Sequence, residues 1–385
     1  MSVTPEFPRA EYEVRWRRAR ELMGRAGLDA LLVTSEANYR YLSGHHSAFW
    51  LSKARPMMLL LPREPPPILF LTTNQLPQAA FMSPVQDIRS WDGFMAEAIP
   101  VLADAIREAG LGRGRIGAEL GFKQRLGIPV TEFQRLQALL HEAAFVDAAE
   151  VLWRLRRVKS PAEVGCLREA ARITGEAYQA MFDTVRPGMT EREAHRTFLV
   201  ELFRRGAERP GYIPITSGAG HYHRRTGGPT DRRLEPGDRL WLDGGCSFQG
   251  YWADFSRTVA VGRCTAAQAA AYREVRAVTH GCLEEARPGR PIAALALRAQ
   301  REFERRGFPW GAVSRVGHGI GLDLTEPPSI RADVDEPLQP GMVLTIEPTV
   351  VADHGLYQLE EIYAVTEAGH ELLTAPAPPE LRVVP

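Results

Sequence analysis

The stretch LWLDGGCSFQGYWADFSRTVAVG, residues 240–262, contains two strand-like apolar runs joined by glycine-rich turn material, with Asp243 and Asp254 inside or beside them. A solvated acid is not expected in such runs. An isolated buried carboxylate is very costly, so each aspartate must find a positively charged partner or a metal ion. One such aspartate alone would more often be a hydrogen-bonded turn residue, and a metal site therefore requires further ligands.

Three other segments place metal-type ligands in similarly apolar settings. In SRVGHGIGLDLTEPPSI (314–330), glycines flank His318 and allow the backbone to approach a neighbouring group closely. LTIEPTVV (344–351) and LYQLEEIYAVT (356–366) each carry glutamate within a strand-like run. Four carboxylates and one imidazole suit hard or borderline divalent ions, and four carboxylates neutralise about two dications. Two ions about 3.5 to 4 Å apart activate water and polarise a carbonyl, which is hydrolytic chemistry.

Length and composition set the class of protein. A chain of 385 residues is longer than one hydrophobic core usually serves, so we expect two domains. Hydrophobic residues make up 44% and charged residues 24%, which is typical of a globular protein. The 47 basic and 47 acidic residues cancel, so no overall field recruits nucleic acid or anionic lipid, and we expect neither partner.

The cysteines and the apolar runs indicate the cellular compartment. The four cysteines lie far apart without a C-x-x-C pair, which indicates neither a zinc ribbon nor a disulfide framework. No apolar stretch approaches the span of a bilayer, and the N-terminal residues contain no apolar segment of the signal-peptide kind. These features predict a cytoplasmic protein.

Helix-like and strand-like patterns alternate through about residue 150, beginning with an amphipathic helix at 10–26 that ends before Gly27. Ser160 and Pro161 then open a new helix, as an N-cap followed by proline at the first helical position. We therefore predict an α/β domain over residues 1–155 and an α+β domain over residues 156–385. The second domain's predicted helices are 161–185, 190–206, 265–287 and 291–306, and its strand patterns lie in 239–261 and 341–366.

The chain as a whole resembles the creatinase/prolidase/methionine aminopeptidase superfamily of pita-bread metallopeptidases, and its length is similar to the Xaa-Pro dipeptidase branch. The resemblance is carried by YRYLSGH, by the linker RVKSPAEV, and by Asp-x10-Asp, GHGIGL and IEP in family order. It implies an α+β fold, in which an N-terminal α/β creatinase-like domain precedes a pita-bread catalytic domain.

The resemblance assigns five residues to a metal site, namely Asp243, Asp254, His318, Glu347 and Glu360. Asp254 and Glu360 would bridge two divalent ions, Asp243 would complete one ion's site, and His318 and Glu347 would complete the other. Glu347 would also act as the proton shuttle. Glu360 is preferred over the adjacent Glu361 because it aligns with the glutamate of the family's Ile-Glu-Asp pattern. Mn, Co, Zn and Fe all accept such ligands, so the identity of the ions stays open.

Two family histidines are missing. In proline-specific relatives they bind the substrate carbonyl and stabilise the tetrahedral intermediate, whereas Thr226 and Thr325 stand at the matching positions. This replacement predicts weak activity on ordinary Xaa-Pro dipeptides. His221 and His223 precede Thr226 on a loop, and either one could act as a replacement catalytic donor. The alternative is that both are exposed loop histidines.

The remaining site candidates concern substrate binding. Arg257 matches a common family arginine, which could contact the substrate or form a structural salt bridge. Thr325 is a second candidate substrate-binding residue. Gln358 stands where relatives commonly have an arginine. In many relatives the region matching His45 and Trp50 reaches across a dimer, so the resemblance implies a homodimer, although ordinary packing would also explain these residues.

The sequence therefore predicts a dinuclear-metal hydrolase that cleaves an amide bond in a small substrate, as an Xaa-Pro dipeptidase does. The alternative is a non-peptidase of the same fold, amidinohydrolase-like or dimethylsulfoniopropionate lyase-like, which the loss of both histidines favours. A catalytically silent binding module of the histone-chaperone kind needs no metal ligands, and retention of all five argues against it.

Overall fold

The computed structural model describes residues 6–64, 66–308 and 315–385. The chain divides into two compact units, Met1–Arg156 and Arg157–Pro385. Both units combine helices with sheets, so the predicted α+β architecture is confirmed. In the part of the chain that the structure describes, no helix combines the length and the apolar character needed to cross a membrane.

The first unit contains one six-stranded sheet. Its strands are β1 (Ala30–Val33), β2 (Met58–Pro62), β3 (Ile68–Thr72), β4 (Asp87–Trp91), β5 (Arg115–Ala118) and β6 (Ala144–Asp147). Its helices are α1 (Arg9–Ala26), α2 (Glu36–Ser43), α3 (Leu76–Met82), α4 (Met95–Glu108), α5 (Val130–Leu139) and α6 (Ala149–Arg157), which ends one residue into the second unit. The strand order is β4-β3-β2-β1-β5-β6, with β2 antiparallel to both β1 and β3 and the remaining pairs parallel.

The sequence of the first unit explains its elements. The first helix ends where Gly27 adopts a left-handed conformation with φ 63° and donates its N–H to Gly24 and Met23, as the sequence predicted. Strands β1, β2 and β3 are buried along their whole length, which explains why they are continuous apolar runs rather than alternating ones. Near them, His45 is buried and its Nδ1 lies 2.8 Å from the Tyr39 hydroxyl, so ordinary packing accounts for its position.

The second unit is larger and has four helices among its described residues. They are α7 (Pro161–Phe182), α8 (Glu191–Arg204), α9 (Ala266–Leu283) and α10 (Ala293–Arg305). The strands of its first half are β7 (Arg209–Pro210), β8 (Ile215–Ser217), β9 (Arg239–Leu242), β10 (Cys246–Phe248), β11 (Tyr251–Trp252) and β12 (Arg257–Val261). Those of its second half are β13 (His318–Gly319), β14 (Glu326–Ser329), β15 (Val343–Ile346), β16 (Thr349–Ala352), β17 (Gly355–Gln358), β18 (Glu361–Val365), β19 (His370–Leu372) and β20 (Val383–Val384).

Two sheets of the second unit position the residues discussed below. One has the order β20-β12-β9-β8, and the other has the order β14-β13-β15-β18-β19. In the first, Leu242 pairs with Arg257, and in the second, Ile346 pairs with Glu361. The smaller sheets are β11-β10-β7 and β16-β17.

The N-terminus of α7 confirms the predicted cap. The Ser160 hydroxyl accepts the Glu163 N–H at 3.2 Å, and the Glu163 carboxylate accepts the Ser160 N–H at 2.9 Å. Pro161 occupies the first helical position, where its missing N–H has no helical partner to lose. This capping box is what the Ser-Pro-x-Glu spacing predicts.

Lys159, the residue directly before this cap, forms a buried ion pair. Lys159 Nζ lies 3.0 Å from Glu326 Oε2, and the two side chains are only 2% and 1% exposed. Glu326 also accepts the Asp323 N–H at 3.2 Å. Its carboxylate lies so close to Gly321 that a Cβ there would come within 2.5 Å of it. The pair therefore holds the turn between Gly321 and Glu326, in which Thr325 lies.

We predict that Lys159→Met destabilises the metal-free protein by about 3–5 kcal/mol, because it removes the positive charge from beside the buried Glu326 carboxylate. Urea unfolding measures the loss, and the double variant Lys159→Met, Glu326→Gln should recover a large part of it. Arg172→Met is the matched control: Arg172 forms an exposed pair with Glu169, and such pairs contribute less than about 1 kcal/mol. Equal losses for both single variants would contradict the prediction.

Candidate metal centre

The ends of paired strands bring four carboxylates together. Asp243 directly follows β9, and Asp254 precedes β12 in the same sheet. Glu347 directly follows β15, and Glu360 directly precedes β18, so the β15–β18 register places these two glutamates opposite each other. Each carboxylate thus lies one to three residues beyond a strand end, where the strand fixes its backbone without requiring its side chain to pack in the sheet.

His318 begins β13, and its ring lies beside the carboxylates. Its Nδ1 lies 2.9 Å from the Gly319 carbonyl oxygen, so Nδ1 carries the proton and Nε2 presents its lone pair. Nε2 lies 3.6 Å from Asp254 Oδ2 and 3.8 Å from Glu347 Oε1. The flanking glycines are required: a Cβ on Gly317 would come within 2.2 Å of the Thr345 carbonyl oxygen.

All five residues predicted as metal ligands therefore lie in one place. One ligand atom from each of Asp254, His318 and Glu360 lies within 4.8 Å of the other two, and all three residues are buried. Asp243 lies beside Glu360, and Glu347 lies beside His318. Asp243, Asp254, His318, Glu347 and Glu360 are called the five-residue cluster below.

The carboxylates of the five-residue cluster resist ionisation without added positive charge. Burial raises the pKa of Asp254 and Glu360 well above the usual range, and the neighbouring carboxylates raise both further. Burial and the charge of Asp243 raise the pKa of Glu347 to about 7. Burial also raises the pKa of Asp243. Like charges packed this closely repel strongly at low effective dielectric.

Carboxylate oxygens without hydrogen-bond partners indicate that the cluster fits divalent cations. Asp243 Oδ1 and Glu360 Oε1 are buried and have no hydrogen-bond partner among the described residues. A buried carboxylate oxygen without a partner is costly, and a cation would satisfy both oxygens while removing the mutual repulsion. Carboxylates with one imidazole are also a donor set that such ions accept.

The choice of Glu360 over Glu361 is explained by their different partners. Glu361 forms an ion pair with Arg257 Nη2 at 2.9 Å and accepts the Ala377 N–H at 2.7 Å and the Thr374 hydroxyl. Its oxygens are therefore occupied away from the cluster. Glu360 directs its carboxylate towards Asp243 instead.

Arg257 has a structural role, which corrects its prediction as a substrate-binding residue. Both terminal nitrogens of its buried guanidinium are engaged within the protein. Nη1 donates to the carbonyl oxygens of Ser256 at 2.9 Å and Glu360 at 2.6 Å, while Nη2 donates to Glu361 and to the Ala375 carbonyl oxygen at 2.7 Å. These bonds join the start of β12 to the start of β18, so Arg257 positions the Glu360 backbone.

His221 and His223 are exposed, and neither ring forms an ion pair with a carboxylate among the described residues. The replacement of a family histidine by one of them stays a prediction. Thr226 is exposed as well, and its carbonyl oxygen accepts the Tyr212 hydroxyl. Thr325 is half-buried, and its side chain makes no hydrogen bond to the described residues, so its substrate-binding role stays a prediction.

Three residues that face the cluster were not predicted in that role. Arg315 Nε lies 3.7 Å from Glu347 Oε1, and Gln358 Nε2 donates to Glu347 Oε2 at 2.8 Å. The charge of Arg225 acts to lower the pKa of both Asp243 and Glu347. The sequence offers only a weak signal for them: Arg225 directly precedes Thr226, and Arg315 lies three residues before His318.

Two sequence profiles match the chain. Residues 165–367 match metallopeptidase family M24, and residues 15–158 match the creatinase/prolidase N-terminal domain. The first match covers more than half of the chain and includes the five-residue cluster. The order of the two matches confirms the predicted creatinase-like domain followed by a pita-bread domain.

Individual relatives agree with the profiles. The chain is 26% identical over 373 residues to the uncharacterized peptidase YqhT of Bacillus subtilis, covering 96% of this chain and 100% of that protein. It is 28% identical over 256 residues to the Xaa-Pro dipeptidase of Pyrococcus furiosus, covering 66% and 73% respectively. The solved dipeptidase PepE from Mycobacterium ulcerans matches with a TM-score of 0.83 at 28% identity, covering 98% of this chain and 99% of that one.

A further structural match supports the fold alone. The Xaa-Pro dipeptidase from Bacillus anthracis superposes with a TM-score of 0.86 at 23% identity, covering 97% of this chain and 100% of that one. The creatinase/prolidase fold therefore extends over nearly the whole chain.

We predict that Glu347→Gln stabilises the metal-free protein increasingly as the pH rises. The folded pKa of Glu347, about 7, exceeds its ordinary value, so the folded state holds this proton more tightly than the unfolded state. The contribution of Glu347 to stability is therefore full below about pH 4.5 and lost as the pH rises through about 7. Between pH 5 and pH 8, the stability of the variant relative to the wild type should rise by on the order of 1–3 kcal/mol.

Urea unfolding of the metal-free proteins at several pH values measures this difference. Glu371→Gln, which changes an exposed glutamate in an ion pair with Arg168, is the matched control. A difference between variant and wild type that stays constant from pH 5 to pH 8 would show that Glu347 is not held in a repulsive, buried cluster.

Proposed function

This protein belongs to metallopeptidase family M24 and is a hydrolase, and on that premise we propose that it cleaves an amide bond in a small substrate, as an Xaa-Pro dipeptidase does, with two divalent cations bound. One observation carries the proposal: four carboxylates and one histidine lie together in one cluster, where the buried atoms Asp243 Oδ1 and Glu360 Oε1 lack partners among the described residues. A structural role for such a costly cluster would not leave those oxygens unpaired.

The proposed site holds two ions because four carboxylates offset the charge of two dications. Asp254 and Glu360 would bridge them, Asp243 would complete one site, and His318 and Glu347 would complete the other. Two divalent ions supply Lewis acidity, which lowers the pKa of water and polarises a carbonyl. Their identity as Mn, Co, Zn or Fe is set as much by availability as by these ligands.

Glu347 is the proposed proton shuttle. Gln358 holds its Oε2 at 2.8 Å, which fixes the carboxylate orientation, while Oε1 faces His318 and Arg315. A carboxylate so placed would take a proton from the attacking water and deliver it to the departing amine, as general acid–base catalysis requires. Gln358 would keep the carboxylate positioned through both transfers.

The substrate and setting are proposed from the relatives. Those named Xaa-Pro dipeptidases suggest a dipeptide or a similar small amide as the substrate. We further propose a cytoplasmic homodimer without nucleic-acid or membrane partners. The four cysteines are free thiols, which supports a reducing compartment.

A second candidate is a non-peptidase of the same fold, amidinohydrolase-like or dimethylsulfoniopropionate lyase-like. The observation in its favour concerns the two threonines at the positions of the family histidines. Thr226 is exposed, Thr325 makes no side-chain hydrogen bond to the described residues, and neither can carry the positive charge of an imidazolium. A site without these charges would suit a substrate that differs from a proline dipeptide.

We predict that Asp254→Asn abolishes turnover and prevents two metal ions from binding side by side, while the protein still folds. The variant loses the negative charge proposed to bridge the ions but keeps the side-chain volume. Metal content by mass spectrometry should fall from two ions per chain to at most one, and circular dichroism should stay unchanged. Asp183→Asn, at an exposed ion pair with Arg382, is the control and should bind and turn over normally. A variant that kept both ions and near-normal turnover would show that Asp254 is not a bridge.

We predict that Ala-Pro is a poor substrate even with saturating Mn or Co. Each lost donor to the reacting group costs about 10² to 10³ in rate, and threonine cannot replace a charged imidazole. A panel that compares Ala-Pro-type dipeptides with small non-peptide amides, with kcat as the readout, tests this. Ala-Pro turnover within the usual enzymatic range of about 1 to 10³ per second would contradict it and would return the protein to the prolidase function.

A further inference from the structure

The loop over residues 217–230 is fastened at both ends to one buried carboxylate. Glu191, at the start of α8, accepts the Ser217 hydroxyl at 2.7 Å at one end of the loop. At the other end it accepts the Thr230 N–H at 3.0 Å and the Thr230 hydroxyl at 2.6 Å. Although burial acts to raise the pKa of Glu191, these hydrogen bonds lower it, so the carboxylate is ionised.

The middle of the same loop is also fixed. Arg224 Nη2 lies 3.1 and 3.2 Å from the two oxygens of Glu191. Three residues on, the Gly227 carbonyl oxygen accepts the Ile215 N–H of β8 at 3.1 Å. The backbone on each side of Arg225 therefore has a defined position.

That position lies beside the five-residue cluster. The residue before Ile215 is Pro214, and its carbonyl oxygen accepts the Asp243 N–H at 3.1 Å. Gly227 and Asp243 are thus bonded to adjacent residues of one segment, from its two opposite sides. Because Arg225 is two residues from Gly227, its side chain is within reach of the cluster that Asp243 begins.

Arg225 lies close enough to the cluster for its charge to act there. The residue is half-buried, and its Nε is buried without a hydrogen-bond partner among the described residues. Its charge acts on both Asp243 and Glu347, which the metal assignment places at different ions. Arg224, in contrast, binds Glu191 through Nη2.

We propose that Arg225 is a catalytic residue, whose guanidinium donates a hydrogen bond to the negatively charged oxygen that develops on the substrate carbonyl. This inference rests on the proposed function. Four carboxylates offset two dications, so Arg225 and Arg315 leave the pocket positively charged, which favours an oxyanion. A guanidinium stays protonated at every working pH, and its planar donors suit an oxygen acceptor.

The reaction balances with the residues present. Water adds its oxygen to the carbonyl carbon and gives one proton to Glu347, while the C=O electron pair moves to the oxygen beside Arg225. Return of that pair re-forms the carbonyl and breaks the C–N bond, and the amine leaves with the proton that Glu347 held. Arg225 donates a hydrogen bond throughout and transfers no proton.

The test compares Arg225→Gln and Arg225→Lys with Arg192→Gln, which removes a similar charge at an exposed ion pair with Asp231. With the amide that the wild type cleaves fastest, Arg225→Gln should lower kcat by about 10² to 10³ with little change in KM. Arg225→Lys should recover part of that loss, and Arg192→Gln should match the wild type.

Metal binding supplies a readout independent of turnover. Calorimetric titration of the metal-free proteins with Mn should show that Arg225→Gln binds at least as tightly as the wild type, because a like charge near the ions is removed. Weaker Mn binding, with a kcat loss that follows metal occupancy, would overturn the proposal and make Arg225 a structural residue.

Three further outcomes are decisive. If the defect of Arg225→Gln lies in KM and disappears for substrates whose carboxylate is capped as an amide, Arg225 anchors the substrate and the catalytic role is overturned. If the wild type hydrolyses amides in a Mn-dependent way and Arg225→Gln is equally active, this inference fails while the proposed function stands. A metal-loaded wild type without any amide hydrolysis overturns both.

Discussion

The repulsion among four closely packed carboxylates, two of them on buried residues, is the constraint on which the rest of the second unit depends. Burial and mutual charge raise the pKa of Asp254 and Glu360 well above the usual range. The metal-free protein must therefore either keep protons on these carboxyls or bear the repulsion between neighbouring negative charges. A fold would not concentrate acids in this way for stability. The arrangement is favourable only when cations enter, and the polypeptide around it can be understood as a scaffold that tolerates the repulsion until then.

The scaffold works through strand ends and the bonds between them. The carboxylates extend from the ends of β9, β12, β15 and β18, which belong to two different sheets. Arg257 joins the sheets by donating to the Glu360 carbonyl oxygen and to Glu361, and the Ser256 hydroxyl donates to the Gln358 carbonyl oxygen at 2.9 Å. None of these three bonds uses a side chain of the five-residue cluster. The backbone therefore fixes the cluster, and its side chains stay available to ligands.

The loop over residues 217–230 is held by different means. It does not extend from a strand end of the cluster, and its geometry depends on Glu191 and its partners. Loops held at a few points vary readily in sequence while the scaffold stays constant. This separation explains how the cluster can retain all five ligands while Thr226 and Thr325 replace the expected histidines. It also explains why family membership establishes hydrolytic chemistry more firmly than it establishes the substrate.

The sequence by itself determined the local features of this protein and the identity of the cluster. The Gly27 stop, the Ser160 cap and the apolar strand runs follow from backbone sterics and local hydrogen bonds, which neighbouring residues decide. Acids in apolar runs can be recognised because their burial cost needs an explanation. Only the tertiary structure decided which arginine binds Glu191 and that His221 and His223 are exposed. Arg224 and Arg225 are the same residue type in adjacent positions, and their surroundings differ because Glu191, more than thirty residues earlier in the sequence, binds Arg224.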